Sequence, residues 1–387
     1  MRSGVRATQI RPTIRALLGL VVVVLAEVAR AGVGIWISPE ELAALPTSGS
    51  AWESLLAAAR APLGAPDLSD QDNQVDVRVL AKALVFARTG EPAFRSDVLV
   101  AIERVAHGRT EQSGRTLALC RGLIGYVLAA DLVGLPKDLD ADFRRFLTEV
   151  RGEKLEGKTL VSTHESRPNN WGTHCGASRA ALDRYLGDDT DLRRTATVMK
   201  GWLGDRNAYA GFKFGEDLSW QADPSSPLGV NPRGAVLRGH PVDGVLPDDQ
   251  RRAGGFRWPP AKTGYAWGAL QGIVATAVIL DRAGMHDVWQ WQDRAILRAA
   301  RWLYDTKFSD GAGYPAEGDD TWIPYVLNSQ YGAGFQVTVP SRPGKNVGWT
   351  DWTLAGRREP PKEAQAPEAP APKANPKPSA AGKPPSK

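Results

Sequence analysis

The chain has 387 residues, 48 of them basic and 43 acidic. Twelve basic and four acidic residues fall in 1–31 and 357–387, which leaves 36 basic and 39 acidic residues in 32–356. The basic excess therefore comes from the two ends and is no footprint for nucleic acid, so an acidic ligand must be met by a few placed Arg, Lys and His groups.

Arg2, Arg6, Arg11 and Arg15 precede an apolar run, Ala16 to Ala26, and then Ala29-Arg30-Ala31. That order of charged, apolar and small residues predicts a signal peptide over 1–31. The run has 11 residues, whereas a membrane span takes roughly 20; an uncleaved anchor is the alternative. Either reading puts the remaining chain in the periplasm or outside the cell.

Ser38-Pro39-Glu40-Glu41 predicts a capped helix start, with the helix running to about Arg60. Further helical patterns lie near 76–89, 93–106, 113–133 and 139–151. The third of these is apolar nearly all round, as an inner helix would be, and its Arg121 and Asp131 argue against a membrane span. A loop over 152–168 precedes helices near 170–186 and 190–203. Residues 204–262, rich in Gly, Pro, Asp and Arg, read as a long irregular insertion of functional type. Helices near 263–283 and 287–306 follow, and aromatic, Gly-rich strands or loops finish the core.

The expected fold is mainly α, an incomplete (α/α) toroid of helical hairpins in one domain, 32–356. An ordinary helical bundle is the alternative. Residues 357–387 hold Pro, Ala, Lys and little that is apolar, which predicts a disordered tail suited to contact with an acidic envelope polymer. Cys120 and Cys175 both fall in apolar helical patterns and read as two buried thiols, although export would allow them to pair.

Two constellations could carry chemistry. In Arg167-Pro168-Asn169-Asn170-Trp171-Gly172-Thr173-His174, two amides and a His stand at a helix start, with Asn170 and His174 one turn apart on one side. An Asn cap with a satisfied core His is the bland alternative. In Arg257-Trp258-Pro259-Pro260-Ala261-Lys262-Thr263-Gly264-Tyr265, a Tyr opens a helix beside basic residues, a setting that favours proton transfer; a core aromatic is the alternative. Between them, Phe212, Phe214 and Trp220 read as sugar-stacking platforms, and His240, Asp243, Asp248, Asp249, Arg251 and Arg252 as polar site residues or a self-paired loop.

Asn169-Asn170, Tyr265 and Trp322-Ile323-Pro324-Tyr325 together resemble the alginate-lyase family of α/α-toroid polysaccharide lyases, over about residues 50–335. The resemblance implies that Asn170 neutralises a uronate carboxylate beside a His, with Tyr265 and Arg257 completing the site. It differs from the family pattern in placing Trp171 after the Asn pair and His174 three residues later, an exchange of the two.

β-Elimination needs these types together. The C5 proton of a uronate is barely acidic until donors bind the carboxylate; a base then takes it and an acid protonates the leaving O4. Asn170, His174, Tyr265, Arg257 and His240 are the expected catalytic residues. Either His is a candidate base, or Tyr265 does both steps on one face of the ring. Asn169, Trp171, Trp220, Arg252, Trp322 and Tyr325 are the expected substrate contacts. The expected partner is an acidic polysaccharide bound by a monomer, with no cofactor and no metal-ligand spacing. The alternatives are a glycoside hydrolase using two of Glu216, Asp217, Asp243, Asp319 and Asp320, or a non-catalytic envelope glycan-binding protein.

The leader pattern predicts a mature N-terminus at Gly32 or within a few residues of it. N-terminal sequencing of the natively expressed protein checks this, and an intact Met1 on soluble cytoplasmic protein is the contrary outcome.

Overall fold

A computed structural model describes residues 32–108 and 115–355, so the leader and the tail lie outside the described residues. The chain is mainly helical. In order the helices are α1 (Pro39–Ala44), α2 (Ser50–Arg60), α3 (Val75–Thr89), α4 (Pro92–His107), α5 (Thr116–Val133), α6 (Lys137–Gly152), α7 (Leu160–Ser166), α8 (Asn170–Leu186) and α9 (Asp189–Leu203). After a two-stranded hairpin, β1 (Val236–Leu237) and β2 (His240–Pro241), come α10 (Pro247–Gln250), α11 (Gly264–Arg282), α12 (Trp291–Asp305), α13 (Ile323–Tyr331) and α14 (Thr350–Thr353).

Polarity sorts the longer helices into two layers. Helices α3, α5, α8 and α11 are buried on nearly every side and pack in sequence, α3 on α5, α5 on α8 and α8 on α11. Helices α4, α6, α9 and α12 are amphipathic and cover that row; α6 buries only Phe143, Phe146, Leu147 and Val150. One-sided burial is what a period of 3.6 residues produces on an outer helix.

The row is tight. A methyl group at Gly272 of α11 would lie 2.2 Å from the Thr173 carbonyl carbon and 2.4 Å from the His174 nitrogen of α8, so glycine alone permits this approach. Gly268 faces Asn170 and Gly272 faces Thr173, so α8 and α11 run parallel and their N-termini share one end.

Cys120 of α5 and Cys175 of α8 form a disulfide, with Cα atoms 4.5 Å apart. This corrects the expectation of two thiols. Each cysteine does lie on an apolar, fully buried face, but the two faces are the same seam. The sequence pattern of either helix alone carries no sign of that.

The ends of the described chain close on each other. Asp131 of α5 accepts the backbone N–H groups of Val33 (2.7 Å) and Ile35 (2.9 Å). Arg282, in the last turn of α11, reaches Gly34 O (2.9 Å) and Glu41 (2.6 Å). Trp352 of α14 packs on Trp52 of α2 with ring centres 5.4 Å apart and donates to Pro46 O.

Three elements differ from expectation. The first predicted helix is two, because Pro46 forces Leu45 into extended backbone (ψ 146°). The predicted loop 152–168 contains α7, begun by a Thr159–Ser162 capping pair. The terminal aromatic segment forms α13, which has proline in its first turn and ends at Gly332 in the left-handed region. Residues 204–262 are irregular apart from α10, a 3-10 turn at Arg251–Ala253 and the hairpin, whose turn residues Arg238 and Gly239 both have positive φ.

The disulfide closes a loop of 55 residues, worth about 4 kcal/mol on the chain-entropy account. Cys120→Ser with Cys175→Ser should lose most of this. Denaturant unfolding with and without reductant checks it, since wild type should fall to the variant's midpoint only when reduced.

Candidate active site

The N-terminal turns of α5, α8 and α11 meet at one end of the inner row, and each brings a polar residue. Asn169 caps α8, accepting the Trp171 N–H (3.2 Å), and its amide donates to Asp248 (2.7 Å). The Asn170 N–H donates to Asp249 Oδ1 (3.1 Å). The side-chain amide of Asn169 is therefore held by the fold. That of Asn170, by contrast, makes no hydrogen bond among the described residues.

Asn170 lies against α11, where a methyl group at Gly268 would sit 3.6 Å from its Nδ2. Tyr265 is one turn before Gly268 on the same face, about 5–6 Å away between side-chain roots. Tyr265 thus stands one helical turn from the position on α11 that faces the Asn170 amide. Tyr265 is 39% exposed, and Thr263 caps its helix. Arg252 stacks 4.4 Å from the ring centre and donates to the phenolic oxygen (3.3 Å). Arg252 thereby places a positive charge at the phenolic oxygen.

His174 is fully buried. Its Nδ1 pairs with Asn346 Oδ1 (2.8 Å), and its Nε2 is enclosed without a partner. Burial, and then the charge of Arg121, holds its pKa well below the usual imidazole value, so the ring is neutral at physiological pH. Arg257 is exposed and donates to Ala253 O (3.4 Å) rather than to Tyr265. His240 stacks on Trp258, with ring centres 4.6 Å apart and planes 10° apart, and no contact links it to Asn170 or Tyr265.

The expected sugar platforms divide. Trp220 is buried, donates to Gly254 O and packs on Phe256. Trp322 is buried against Trp36. Both are core residues, because tertiary packing covers what the local alternation leaves open. Trp171 is half-buried under Arg167, 5.7 Å from its ring centre. The hydroxyl of Tyr325 donates to Thr338 O.

The sequence reading missed Arg121. It lies in the second turn of α5, next to Cys120, and is half-buried. It makes no hydrogen bond or ion pair among the described residues, and its Nε is enclosed without a partner. Burial lowers its pKa; Asp319, Asp72, Asp320 and Tyr265 oppose this from a distance. A desolvated, unpaired guanidinium invites an anion. The available signal was a lone cation inside an all-apolar helix.

Three carboxyls whose pKa burial raises lie at this end of the molecule, of which Asp320 and Asp249 are candidates in the sequence and Asp76 is not. Asp76, in the first turn of α3, is buried, and burial pushes its carboxyl up to about 8. Asp320 is likewise raised to about 8, by burial first, and accepts from Gln271 (2.6 Å). Gln271 in turn accepts the Lys345 N–H (2.8 Å). Asp249, under Asn170, is buried with Oδ2 unpartnered, and burial raises its pKa well above the usual carboxylate value. Among the described residues no cluster of three or more His, Cys, Asp or Glu could hold a metal ion. No protein-family model and no curated protein matches the chain.

The raised carboxyl of Asp76 has a signed consequence. Its folded pKa is above its unfolded value near 3.8, so its contribution is full below that value and is lost as pH rises towards 8. The melting temperature of Asp76→Asn relative to wild type should therefore rise between pH 4 and pH 8. A pH-independent difference between the two proteins would contradict this.

Proposed function

We propose that the protein is a polysaccharide lyase that cleaves a uronate-containing polymer, such as alginate, polymannuronate or glucuronan, by β-elimination. The observation that carries this reading is the position of the Asn170 side-chain amide, which makes no hydrogen bond among the described residues and faces Gly268 of α11, one turn from Tyr265. The unpaired Arg121 and the Arg252 on Tyr265 add cations at the same end. Under this reading the inner row belongs to an (α/α) toroid. Support for that arrangement comes from the alternation of inner and outer helices and from the closure of α14 on α2.

In the proposed reaction the uronate carboxylate is bound by the Asn170 amide and Arg121, which stabilise negative charge as it develops. Tyr265, in its phenolate form, takes the C5 proton. The electron pair forms the C4–C5 double bond and expels O4, which recovers the proton from Tyr265. One residue doing both steps fits the burial of His174 and the distant stacking of His240. His174 then serves from behind, holding Asn346. The polymer is met outside the cytoplasm by a monomer, a setting in keeping with the disulfide.

A glycoside hydrolase is the second reading, favoured by the protonated carboxyls of Asp76 and Asp320 at the same end. Products separate the two: a lyase yields an unsaturated sugar with ultraviolet absorbance, a hydrolase only new reducing ends.

Purified protein should raise ultraviolet absorbance on at least one uronate polymer. Tyr265→Phe and Asn170→Ala should each lower kcat by roughly 10²–10⁴-fold, with melting temperature little changed. Arg121→Ala should also raise KM, because it removes ground-state binding of the carboxylate. Full activity in Tyr265→Phe, or reducing ends without absorbance, would sink the lyase reading.

A further inference from the structure

A groove lined by neither Asn170 nor Tyr265 lies over the C-terminal end of α12. Its volume is about 680 Å³, and its floor and walls include Pro241, Trp258, Pro259 and Trp302. Trp258 is half-buried, and His240 backs it in a parallel stack without itself lining the groove. The indole is thus braced on one side and borders open space elsewhere, as an aromatic platform for a sugar ring must be.

The charges on the groove are unequal in kind. Arg298 is held by the fold: it pairs with Asp243 and donates to Asn231 O (2.9 Å), Gln292 O (3.1 Å) and Asp293 O (3.1 Å). Asp243 is neutralised by that pair and also accepts the Gly234 N–H. The remaining lining charges are Arg301, Lys307 and Asp305, all exposed and none with an ion pair among the described residues. Two free cations against one free acid, beside a braced indole, complement an anionic sugar chain. On a core whose own balance is acidic, this is a local reversal of sign.

We infer that this groove is a second, non-catalytic binding site for a stretch of the anionic polysaccharide, with Trp258 stacking a sugar ring and Arg301 and Lys307 taking carboxylates. The inference rests on the uronate reading of the site at Asn170 and Tyr265 for the identity of the polymer. Its role is to hold the chain while the other site turns over, so it acts on long substrates and not on short ones.

The test uses the full-length protein with polymannuronate and polyglucuronate as probes and a neutral glucan as control. Binding is measured by calorimetry at low and high salt, and turnover separately on a trisaccharide and on polymer. Trp258→Ala, and separately Arg301→Ala with Lys307→Ala, should weaken binding of an acidic polymer tenfold or more and raise KM on it. Turnover of the trisaccharide should stay within twofold of wild type. The loss from the Arg301 and Lys307 pair should shrink at high salt, and that from Trp258→Ala should persist. The surface pair keeps the test open should Trp258→Ala fail to fold. Unchanged polymer binding in the cation variant overturns the groove and leaves the lyase reading standing. Lost binding in variants of a protein without ultraviolet product supports the groove and removes the lyase. A wild-type protein that binds neither acidic polymer, or binds the neutral glucan equally well, overturns the groove.

Discussion

The close approach of α5, α8 and α11 is the constraint on which the rest of the molecule depends. At Gly272 the backbones of α11 and α8 nearly touch, and one helix over, Cys120 and Cys175 bind α5 to α8. Helices packed on large side chains stay 8–10 Å apart; a glycine contact brings them closer and leaves little freedom to slide. The residues next to these contacts inherit the restriction. Arg121 follows Cys120, His174 precedes Cys175, and Asn170 faces Gly268, so each polar group at the helix ends has its height and direction set by a covalent or steric neighbour.

Below that end, the short segment Pro247–Gln250 works as a polar keystone. Asp248 binds the Asn169 amide and Arg251 (2.8 Å), Asp249 receives the Asn170 N–H, and Gln250 donates to Ala261 O (2.8 Å) in the loop that leads to Tyr265. One turn of chain thereby aligns the start of α8 with the start of α11. The cost is an enclosed carboxyl, Asp249, whose pKa burial raises well above the usual carboxylate value. Polar groups at this density in a core are tolerable where most are bonded; in this segment Asp249 Oδ2 and Gln250 Oε1 are left without partners, as are Arg121 Nε, His174 Nε2 and Asn346 Nδ2.

Much of this architecture could be read before folding. The apolar stretch 116–133 announced an inner helix because it is apolar nearly all round, and Asn169 and Thr263 announced helix starts because short polar side chains cap orphan N–H groups. Asn170 and Tyr265 were legible for the same reason: each stands at such a start. What could not be read depends on partners distant in sequence. Trp220 and Trp322 look like any surface aromatic until Phe256 and Trp36 cover them. Cys120 and Cys175 pair only because two helices share a seam. His240 carries the chemistry of a base in any sequence, yet the hairpin lays it flat on Trp258. Arg121 was visible as an odd charge; its meaning lies in the ion pair it does not make among the described residues.

That odd charge also bears on the export proposed for the chain. By length and hydropathy, Thr116–Val133 is apolar enough to cross a bilayer, although in the fold it is a core helix, 83% buried. An exported chain passes through a membrane unfolded, before any neighbour covers such a segment, and a translocation channel releases sufficiently apolar helices sideways into lipid. Arg121 and Asp131 each oppose that exit by up to about 3 kcal/mol. Under the proposed export, the groups that hold the N-terminal segment and face the candidate site would thus also keep the innermost helix from being mistaken for an anchor.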